Sequence, residues 1–292
     1  MNVLFVGGDQ RQLEMIRIFK EKKANIHLLG FHQLMQSFVE ARKVSLKELN
    51  INIYDVIILP VNGVSDEGKV RTLFSNEDFI LPLNFFSNTK ENVKIFTGIK
   101  TKRLEEMLEF ANRDAYILME RDDVAIYNSI PTVEGVIMML VENTDYTIFG
   151  SNIYVFGFGR VGETLARTLK NLGANVTVVV RSKKNYARVK ELKMNPLYIE
   201  KVKAKISDAN IIINTVPALV ITRDILDEVN VNTFILDISS KPGGVDFEYA
   251  KKRGLKADLV LGIPGLVAPK TAGKILAEAI LEIISEGSDE SV

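Results

Sequence analysis

The sequence predicts an α/β protein built from two doubly wound parallel-sheet domains. Short, continuous apolar runs alternate with amphipathic segments in the first half, and the same alternation restarts near residue 152. Continuous apolar strands are typical of a parallel sheet that helices cover on both faces. The length of 292 residues agrees, because a typical domain of about 150 residues would give two in this chain.

The composition narrows the class of protein. Apolar residues make up 47% and charged residues 25% of the chain, as in a folded globular protein. The 37 basic and 37 acidic residues give a formal charge of zero, which argues against a general nucleic-acid binder. The absence of cysteine excludes disulfides, thiolate zinc sites and a cysteine nucleophile, and two histidines exclude a multi-histidine metal site. No metal is therefore expected.

The sequence predicts neither an export signal nor a membrane span. The first nine residues lack a basic stretch, and their apolar run is too short for a signal peptide. The most apolar windows, 136–141 and 211–221, fall short of the roughly 18 apolar residues that a spanning helix needs. We therefore expect a cytoplasmic protein that does not bind membranes.

The first half predicts five strands and, after them, a long helix. The strands are Val3–Val6, Ile26–Leu29, Asp55–Leu59, Lys94–Thr97 and Ala115–Met119. Ser129 to Asn143 is apolar around much of its circumference, so it predicts a buried helix, with Ser129 as its cap and Pro131 in its first turn. We place the domain junction here, with an N-terminal domain over 1–127 and a second domain over 128–269.

The second half predicts a further sheet and a final helix. The strands are Asn152–Phe156, Asn175–Val180, Ile211–Asn214 and Thr233–Ile238, with a helix over Arg160–Leu172. The last helix, 270–286, is expected to pack back on the first domain. The acidic tail, 287–292, is expected to fray.

The glycine motif Gly157-Phe158-Gly159-Arg160-Val161-Gly162 lies between a predicted strand and a predicted helix. In the G-x-G-x-x-G pattern, Gly157 permits a tight turn, Gly159 lets a pyrophosphate approach the backbone, and Gly162 lets the helix pack against the sheet. Free N–H groups at the helix start would bind the phosphates. The motif therefore predicts a Rossmann NAD(P)-binding domain, and the alternative is a glycine turn without a ligand.

The residues at the end of the next predicted strand indicate which dinucleotide the domain prefers. NAD-binding proteins usually place Asp or Glu there to bind the ribose hydroxyls. This chain has Arg181-Ser182-Lys183-Lys184 instead. A guanidinium and a hydroxyl suit a 2′-phosphate, so the sequence favours NADP over NAD. The alternative is a solvated basic turn.

Two further strand ends are expected at the same edge of the sheet. Asn214-Thr215-Val216-Pro217 follows one strand, and Asp237-Ile238-Ser239-Ser240 ends the next. Ligands of open parallel sheets lie beyond the carboxyl ends of the strands. Thr215, Val216, Pro217 and Ser239 are therefore predicted cofactor contacts on the nicotinamide side, although ordinary turns have a similar composition.

Four residues are candidates for binding a small anionic substrate: Arg11, Asn128, Ser129 and Lys270. Arg11 follows a Gly7-Gly8 turn, where helix N–H groups and a cation would favour an anion. Lys270 lies at the start of the last helix, where its charge is repelled by the positive end of the helix dipole. A bound carboxylate would offset this repulsion. Asn128 and Ser129 are expected to face the cleft between the domains. The alternatives are a surface arginine, a solvated lysine and helix caps.

Four longer motifs resemble the family of dipicolinate synthase A subunits from spore-forming bacteria. The resemblance rests on 7–14, 120–135, 157–160 and 264–273, of which the second and fourth are long and specific. It extends over nearly the whole chain. Phe158 replaces the leucine that we expect in the family, and 183–190 is more basic.

The resemblance implies formation of dipicolinate, during sporulation, in the mother-cell cytoplasm. The implied substrate is the cyclic product of 4-hydroxy-tetrahydrodipicolinate synthase, which would lose water and pass a hydride to NADP⁺. The implied partner is the flavoprotein-like B subunit of dipicolinate synthase, and a homo-oligomer is expected as well. The motifs do not identify catalytic residues.

A substrate with two carboxylates needs cations or helix starts at two places. Arg11 and Lys270 would meet if the last helix returns to the first domain, as is common in two-domain hydroxyacid dehydrogenases. Two other functions stay open. The chain could be a non-catalytic dinucleotide-binding protein that regulates or scaffolds the B subunit, or a dehydratase with a structural nucleotide.

Overall fold

The computed structural model describes residues 1–35, 38, 41–76 and 79–289, with side chains to residue 286. The chain divides into two compact units. The first combines Met1–Asn128 with Ala268–Val292, and the second is Ser129–Val267.

The first unit contains a six-stranded parallel sheet in the order β3-β2-β1-β4-β7-β8, with a small antiparallel pair, β5-β6. Its strands are β1 (Asn2–Val6), β2 (Asn25–Leu29), β3 (Ala41–Val44), β4 (Val56–Ile58), β5 (Lys69–Val70), β6 (Phe79–Ile80), β7 (Lys94–Thr97) and β8 (Ala115–Ile117). Its helices are α1 (Gln10–Glu21), α2 (Lys102–Ala111), the first turns of α3 (Asp122–Asn143) and α9 (Pro269–Asp289).

Alternate residues of β1 enter two separate cores, one on each face of this sheet. Val3 and Phe5 pack in a core that includes Leu276 of α9, whereas Leu4 and Val6 pack in the opposite core. Both faces are therefore covered, which explains why the strand is apolar throughout.

The second unit repeats this architecture. Its sheet is parallel, in the order β11-β10-β9-β12-β13-β14. Its strands are β9 (Asn152–Phe156), β10 (Asn175–Val180), β11 (Asn195–Tyr198), β12 (Ile211–Asn214), β13 (Phe234–Asp237) and β14 (Lys256–Leu259). Its helices are the rest of α3, α4 (Arg160–Asn171), α5 (Lys183–Glu191), α6 (Arg223–Leu226), α7 (Phe247–Lys252) and α8 (Ile263–Val267). The predicted fold class, two doubly wound parallel sheets, is confirmed.

The last helix packs against α1 in the first unit. A Cβ on Gly273, in the first turns of α9, would overlap the carbonyl oxygen of Arg11. Only glycine allows the two helices to approach so closely at this point. The predicted end of this helix at residue 286 is wrong, because α9 continues to Asp289. Of the predicted tail, 290–292 lie outside the described residues, as do the side chains of 287–289.

The predicted start of the long helix is also wrong. α3 begins at Asp122, with Asp122 and Asp123 in its first turn, so Pro131 lies inside the helix and Ser129 is not its cap. Over this greater length the helix is long and apolar enough to cross a membrane, with a mean hydropathy of 1.5 and 44% of the window buried. Such a helix is weak evidence for a span, because core helices of this length pass the same test, and Val133, Val136 and Leu140 lie in the core of the second unit.

Candidate functional site

The glycine turn between β9 and α4 is held against the two neighbouring strands. Gly157 has a φ of 97°, and its N–H donates to the carbonyl of Val179 over 3.0 Å. A Cβ on Gly157 would overlap Thr215 Oγ1, and a Cβ on Gly162 would lie 2.5 Å from the carbonyl oxygen of Gly157. Both positions therefore require glycine, for the reasons that the motif predicted.

The helix after this turn begins without a side-chain cap. Gly159 is the N-cap of α4. Its carbonyl oxygen accepts a backbone hydrogen bond from Glu163 N over 2.9 Å. The earlier N–H groups of such a helix start need an acceptor outside the helix. Apart from atoms of Gly159 and its two chain neighbours, no described heavy atom lies within 4 Å of the place where a Cβ of Gly159 would be. This open, uncapped start fits the pyrophosphate of a dinucleotide.

The other residues of the motif have different environments. Phe158 is 8% exposed, and its side chain packs in the core of the second unit, so only its backbone is available to a ligand. Arg160 is exposed and Val161 is half-buried at the first turn of α4. The predicted contact through Phe158 is therefore limited to its main chain.

The residues after β10 form a positive helix start. Ser182 is the N-cap of α5, where its Oγ accepts a hydrogen bond from Asn185 N over 3.1 Å. The hydroxyl hydrogen of Ser182 stays available for donation. Arg181, Lys183 and Lys184 are exposed, and Arg181 forms no hydrogen bond or ion pair within the described ranges. An unpaired guanidinium beside a helix start fits a phosphate.

Thr215, Val216 and Pro217 follow β12 beside the glycine turn. Thr215 Oγ1 donates to the carbonyl of Phe156 over 2.8 Å, which fixes this side chain behind Gly157. Val216 is half-buried and Pro217 is exposed. The structure thus brings these three predicted contacts to the same sheet edge as the glycine motif.

A buried carboxylate supports this edge of the sheet, a role that was not predicted from the sequence. Asp237, the last residue of β13, is 0% exposed. Its Oδ1 accepts from Asn214 Nδ2 at 2.9 Å, Ser239 N at 2.9 Å and Ser239 Oγ at 2.7 Å, and its Oδ2 accepts from Gly244 N at 2.6 Å. The loop after β13 is therefore fastened to the end of β12. An Asp at a strand end with Ser two residues later is the pattern of an Asx turn and could have indicated this role.

This network changes the interpretation of Ser239. The side chain is 4% exposed, and its hydroxyl donates to Asp237 and lies 3.3 Å from Asn214 Nδ2. Ser239 therefore fixes the loop and is not a free donor for a cofactor.

The first glycine turn differs from the predicted anion site. Asp9 caps α1, and its carboxylate accepts from Arg11 N at 3.0 Å, Arg11 Nε at 2.9 Å and Arg11 Nη2 at 2.6 Å. Gly7 N donates to Leu29 O and Gly8 N to Arg71 O. The structure therefore does not show the expected open anion site at Arg11, because the chain itself supplies the acceptors.

Lys270 is better placed for an anion. It is exposed in the first turn of α9 and has no hydrogen-bond or ion-pair partner in the part of the chain that the structure describes. Its charge contributes, after the larger effect of Arg17, to holding the pKa of Glu14 below its ordinary value. Lys270 and the start of α1 therefore lie in the same region of the first unit.

The two predicted substrate residues of α3 have different surroundings. Asn128 is half-buried, with its Nδ2 3.8 Å from Met119 Sδ. Ser129 is 0% exposed, and its Oγ is bonded to Thr164 Oγ1 over 2.8 Å. A substrate could not reach Ser129 without displacing that bond, so the structure does not support its predicted role.

No group of three or more His, Asp or Glu side chains is placed to hold a metal ion, within the residues described.

The fold and the glycine turn define the class: a two-unit α/β protein whose second unit is an NAD-binding domain of dehydrogenase type. The family model "D-isomer specific 2-hydroxyacid dehydrogenase, NAD binding domain" matches residues 139–234. The model of the N-terminal domain of the dipicolinate synthase A subunit matches residues 2–119. The chain is 46% identical over 286 residues to the A subunit of dipicolinate synthase from Bacillus subtilis (strain 168), covering 98% of this chain and 96% of the relative. It belongs to the family of dipicolinate synthase A subunits.

Solved structures agree with this assignment. The dipicolinate synthase A subunit from Bacillus halodurans superposes with a TM-score of 0.94 at 46% identity, covering 97% of each chain. Its Bacillus subtilis counterpart gives 0.93 at 45% identity, covering 100% of this chain and 98% of the other. A transhydrogenase from Sinorhizobium meliloti, at 14% identity and a TM-score of 0.69 over 97% of this chain and 93% of the other, shares the fold.

Proposed function

We propose that the chain is an NADP-dependent oxidoreductase subunit that forms dipicolinate from the cyclic product of 4-hydroxy-tetrahydrodipicolinate synthase. The observation that supports this most is the uncapped start of α4, with open space in front of Gly159. Membership of a family whose relatives are named as dipicolinate synthase A subunits supports the product.

The proposed reaction removes one water and two hydrogens from the substrate. Loss of the ring hydroxyl as water gives a dihydropyridine, and loss of a hydride and a proton then gives the aromatic pyridine. Bound NADP⁺ would supply the hydride acceptor, which no protein side chain provides. The chain's own contribution is to bind and orient both molecules and to exclude water.

The dinucleotide would be held by main-chain and side-chain groups of the second unit. The N–H groups at the start of α4 face the pyrophosphate. Arg181 and the hydroxyl of Ser182 bind the 2′-phosphate. Thr215, Val216 and Pro217 would contact the nicotinamide part of the dinucleotide, and the hydrogen bonds of Asp237 hold the neighbouring loop in place.

For the substrate, we propose Lys270 as the cation for one carboxylate. It is exposed at the positive start of a long helix, whereas Arg11 is already neutralised by Asp9. Asn128 stays a candidate amide contact. Ser129 is left out because it is bonded to Thr164.

The test of the nucleotide site is Gly159→Ala. Gly159 has a φ of −91°, which alanine adopts easily, and no described atom would meet the new methyl group. We expect unchanged thermal unfolding and at least a tenfold weaker NADP affinity, about 1.4 kcal/mol. Unchanged affinity would reject the proposed pyrophosphate position. Lys252→Ala, on the distant helix α7, is the control and should bind NADP normally.

The test of the activity separates the enzyme from the other two functions. The purified chain is mixed with NADP⁺ and freshly formed substrate, with and without the B subunit, and the absorbance of reduced nicotinamide is followed. An increase supports the oxidoreductase. Binding of NADP without reduction, even with the B subunit, indicates the regulatory or scaffold protein. Loss of water without an absorbance change of the cofactor indicates the dehydratase.

We also propose assembly with the flavoprotein-like B subunit and with further copies of the chain, in the mother-cell cytoplasm. Family membership supports the first part, since the name of the relatives implies a multi-subunit enzyme. Co-purification from sporulating cells and imaging of a fluorescent fusion would test these proposals. Fluorescence confined to the forespore would contradict the location.

A further inference from the structure

The two units have the same strand order and begin with the same kind of turn. Gly7 N donates to Leu29 O over 2.8 Å, just as Gly157 N donates to Val179 O over 3.0 Å. Both glycines have a positive φ, 52° and 97°. The first unit is therefore built like a nucleotide-binding fold, and its turn can be compared directly with that of the second unit.

The two turns differ in what lies at the helix start. α4 has no side-chain cap, and the position in front of Gly159 is open. α1 has a complete capping box, in which Asp9 accepts from the helix and Gln12 Oε1 accepts from Asp9 N over 2.8 Å. Leu73 N donates to Gly8 O, so the segment around residue 72 also covers this turn.

The Asp9 carboxylate is bound as a ligand anion would be. Arg11 donates hydrogen bonds to it from Nε and Nη2, and the side chain of Arg11 is only 4% exposed. Burial alone would raise the pKa of Asp9, but the hydrogen bonds and charge of Arg11 outweigh it and hold the pKa below its ordinary value. A buried arginine needs such a counter-charge, because an unpaired buried cation is strongly destabilising.

A second buried donor lies at the same turn. Gln12 is 0% exposed, and its amide is packed against Gly8, where a Cβ would overlap it. Its Oε1 is bonded to Asp9 N, which places Nε2 at the helix start. This Nε2 has no hydrogen-bond partner among the described atoms. The turn therefore has one more buried donor than the Asp9 carboxylate uses.

We propose that Asp9 is an internal anion: its carboxylate fills, in the first unit, the helix-start position that a ligand phosphate would take at α4. Three groups would otherwise bind an oxyanion there, namely the α1 N–H groups, Arg11 and Gln12 Nε2. The chain therefore takes one dinucleotide, and removal of the Asp9 charge creates a site for inorganic phosphate or a carboxylate. Only the count of one dinucleotide rests on the proposed function.

The test is recovery of Asp9→Ser by phosphate. Serine still caps the helix but leaves Arg11 without its counter-charge. In chloride buffer we expect a lower Tm than that of the wild type. Inorganic phosphate should raise the Tm of this variant in a concentration-dependent way, and by more than it raises the Tm of the wild type, where the Asp9 carboxylate already occupies the start of α1.

Two variants control for other effects of phosphate. Asp9→Ser with Arg11→Met removes the receptor, so its response to phosphate should equal that of the wild type. Asp246→Ser makes the same exchange at the cap of α7, where it removes the counter-charge of Arg223, whose side chain is 69% exposed. It should lose stability without any additional recovery by phosphate. Equal phosphate responses in all the chains would overturn the proposal.

A measurement on the native sequence applies if Asp9→Ser does not fold. Titration calorimetry of the wild type with NADP should give one equivalent per chain, which Gly159→Ala should bind at least tenfold more weakly. A second equivalent that survives in Gly159→Ala would overturn the internal anion. If the wild type binds no dinucleotide but Asp9→Ser is recovered by phosphate, the proposed function fails and this inference stands.

Discussion

At the scale of single residues, two glycine turns show how one side chain decides whether a helix start is available. The turn at Gly157 places a glycine as the N-cap, so no side chain competes for the first N–H groups of α4. The turn at Gly7 places Asp9 there, with Arg11 as its counter-charge. Both cap residues have an extended backbone, with φ −123° for Asp9 and −91° for Gly159, and the difference in available donors comes from the side chain of the cap residue.

Arg181→Ala should reduce the preference for NADP over NAD. The guanidinium is exposed and unpaired within the described residues, so its loss removes a charge-assisted bond to the 2′-phosphate without disturbing the fold. We expect NADP to bind about tenfold to a hundredfold more weakly, about 1.4 to 3 kcal/mol, with NAD affinity unchanged. Fluorescence titration with both nucleotides measures this, and an unchanged ratio would refute the assignment.

The Asp9 carboxylate should make stability depend on pH in acid. Its pKa is lowered in the folded protein, so its contribution is complete above the unfolded value of about 3.9. That contribution is lost as the pH falls through the lower, folded pKa. Urea unfolding of wild type and Asp9→Asn should give free energies that differ most at neutral pH and converge below about pH 4. A difference that persists in stronger acid would contradict this.

At the scale of helices and strands, burial decided which elements were predicted. Central strands such as β1 and β12 are buried on both faces, so they are continuous apolar runs, and the sequence located them well. Three edge strands, β3, β11 and β14, were missed, because they have only four residues each and are not continuous buried apolar runs. Their pairing depends on the neighbouring strand and leaves little pattern in their own residues.

The start of α3 was misplaced for a related reason. Ser129 followed by Pro131 is a usual pattern at the start of a helix. Here the local preference for a helix start at Ser129 is overridden by tertiary contacts. The hydroxyl of Ser129 is bonded to Thr164, and the helix extends back to Asp122. Similarly, Asp9 and Gln12 have the spacing of a capping box, yet the pairing of Asp9 with Arg11 depends on side-chain geometry that the sequence leaves open.

Ser129→Ala should therefore affect stability and not substrate binding. The substitution removes the bond to Thr164 Oγ1 in the buried interior of the second unit. We expect a loss of about 1 kcal/mol in the free energy of unfolding, measured by urea denaturation. The KM for the substrate should not change. A raised KM at unchanged stability would restore the predicted substrate role.

At the scale of the whole molecule, the two units differ in whether their residues are continuous in the sequence. The second unit is one continuous segment, Ser129–Val267, whereas the first needs the chain's last helix. The local glycine motif indicated the NAD-binding domain and most of the nucleotide site that we propose. The support from Asp237 and the neutralisation of Arg11 could not be predicted, because both depend on which side chains meet in three dimensions.

The second unit, expressed as 129–267, should fold alone and bind the dinucleotide. Residues 1–128 alone should not fold stably, because Leu276, Ile280 and Ile283 of α9 are at most 7% exposed in their core. Each buried side chain of this kind contributes about 1.5 to 3 kcal/mol, against a total stability of about 5 to 15 kcal/mol. Circular dichroism of both fragments, with and without a peptide of 268–289, measures this. A stable fold of 1–128 without the peptide would contradict it.

The return of α9 to α1 has a consequence for biosynthesis. The ribosome makes the amino-terminal half first, yet the surface of α1 that receives Gly273 stays uncovered until α9 has been translated. The segment that emerges later can finish its tertiary structure earlier, which reverses the usual amino-to-carboxyl order of domain folding. The nascent chain therefore exposes an unfinished apolar surface for most of its synthesis, and a chaperone that shields this surface would act on the part that was translated first.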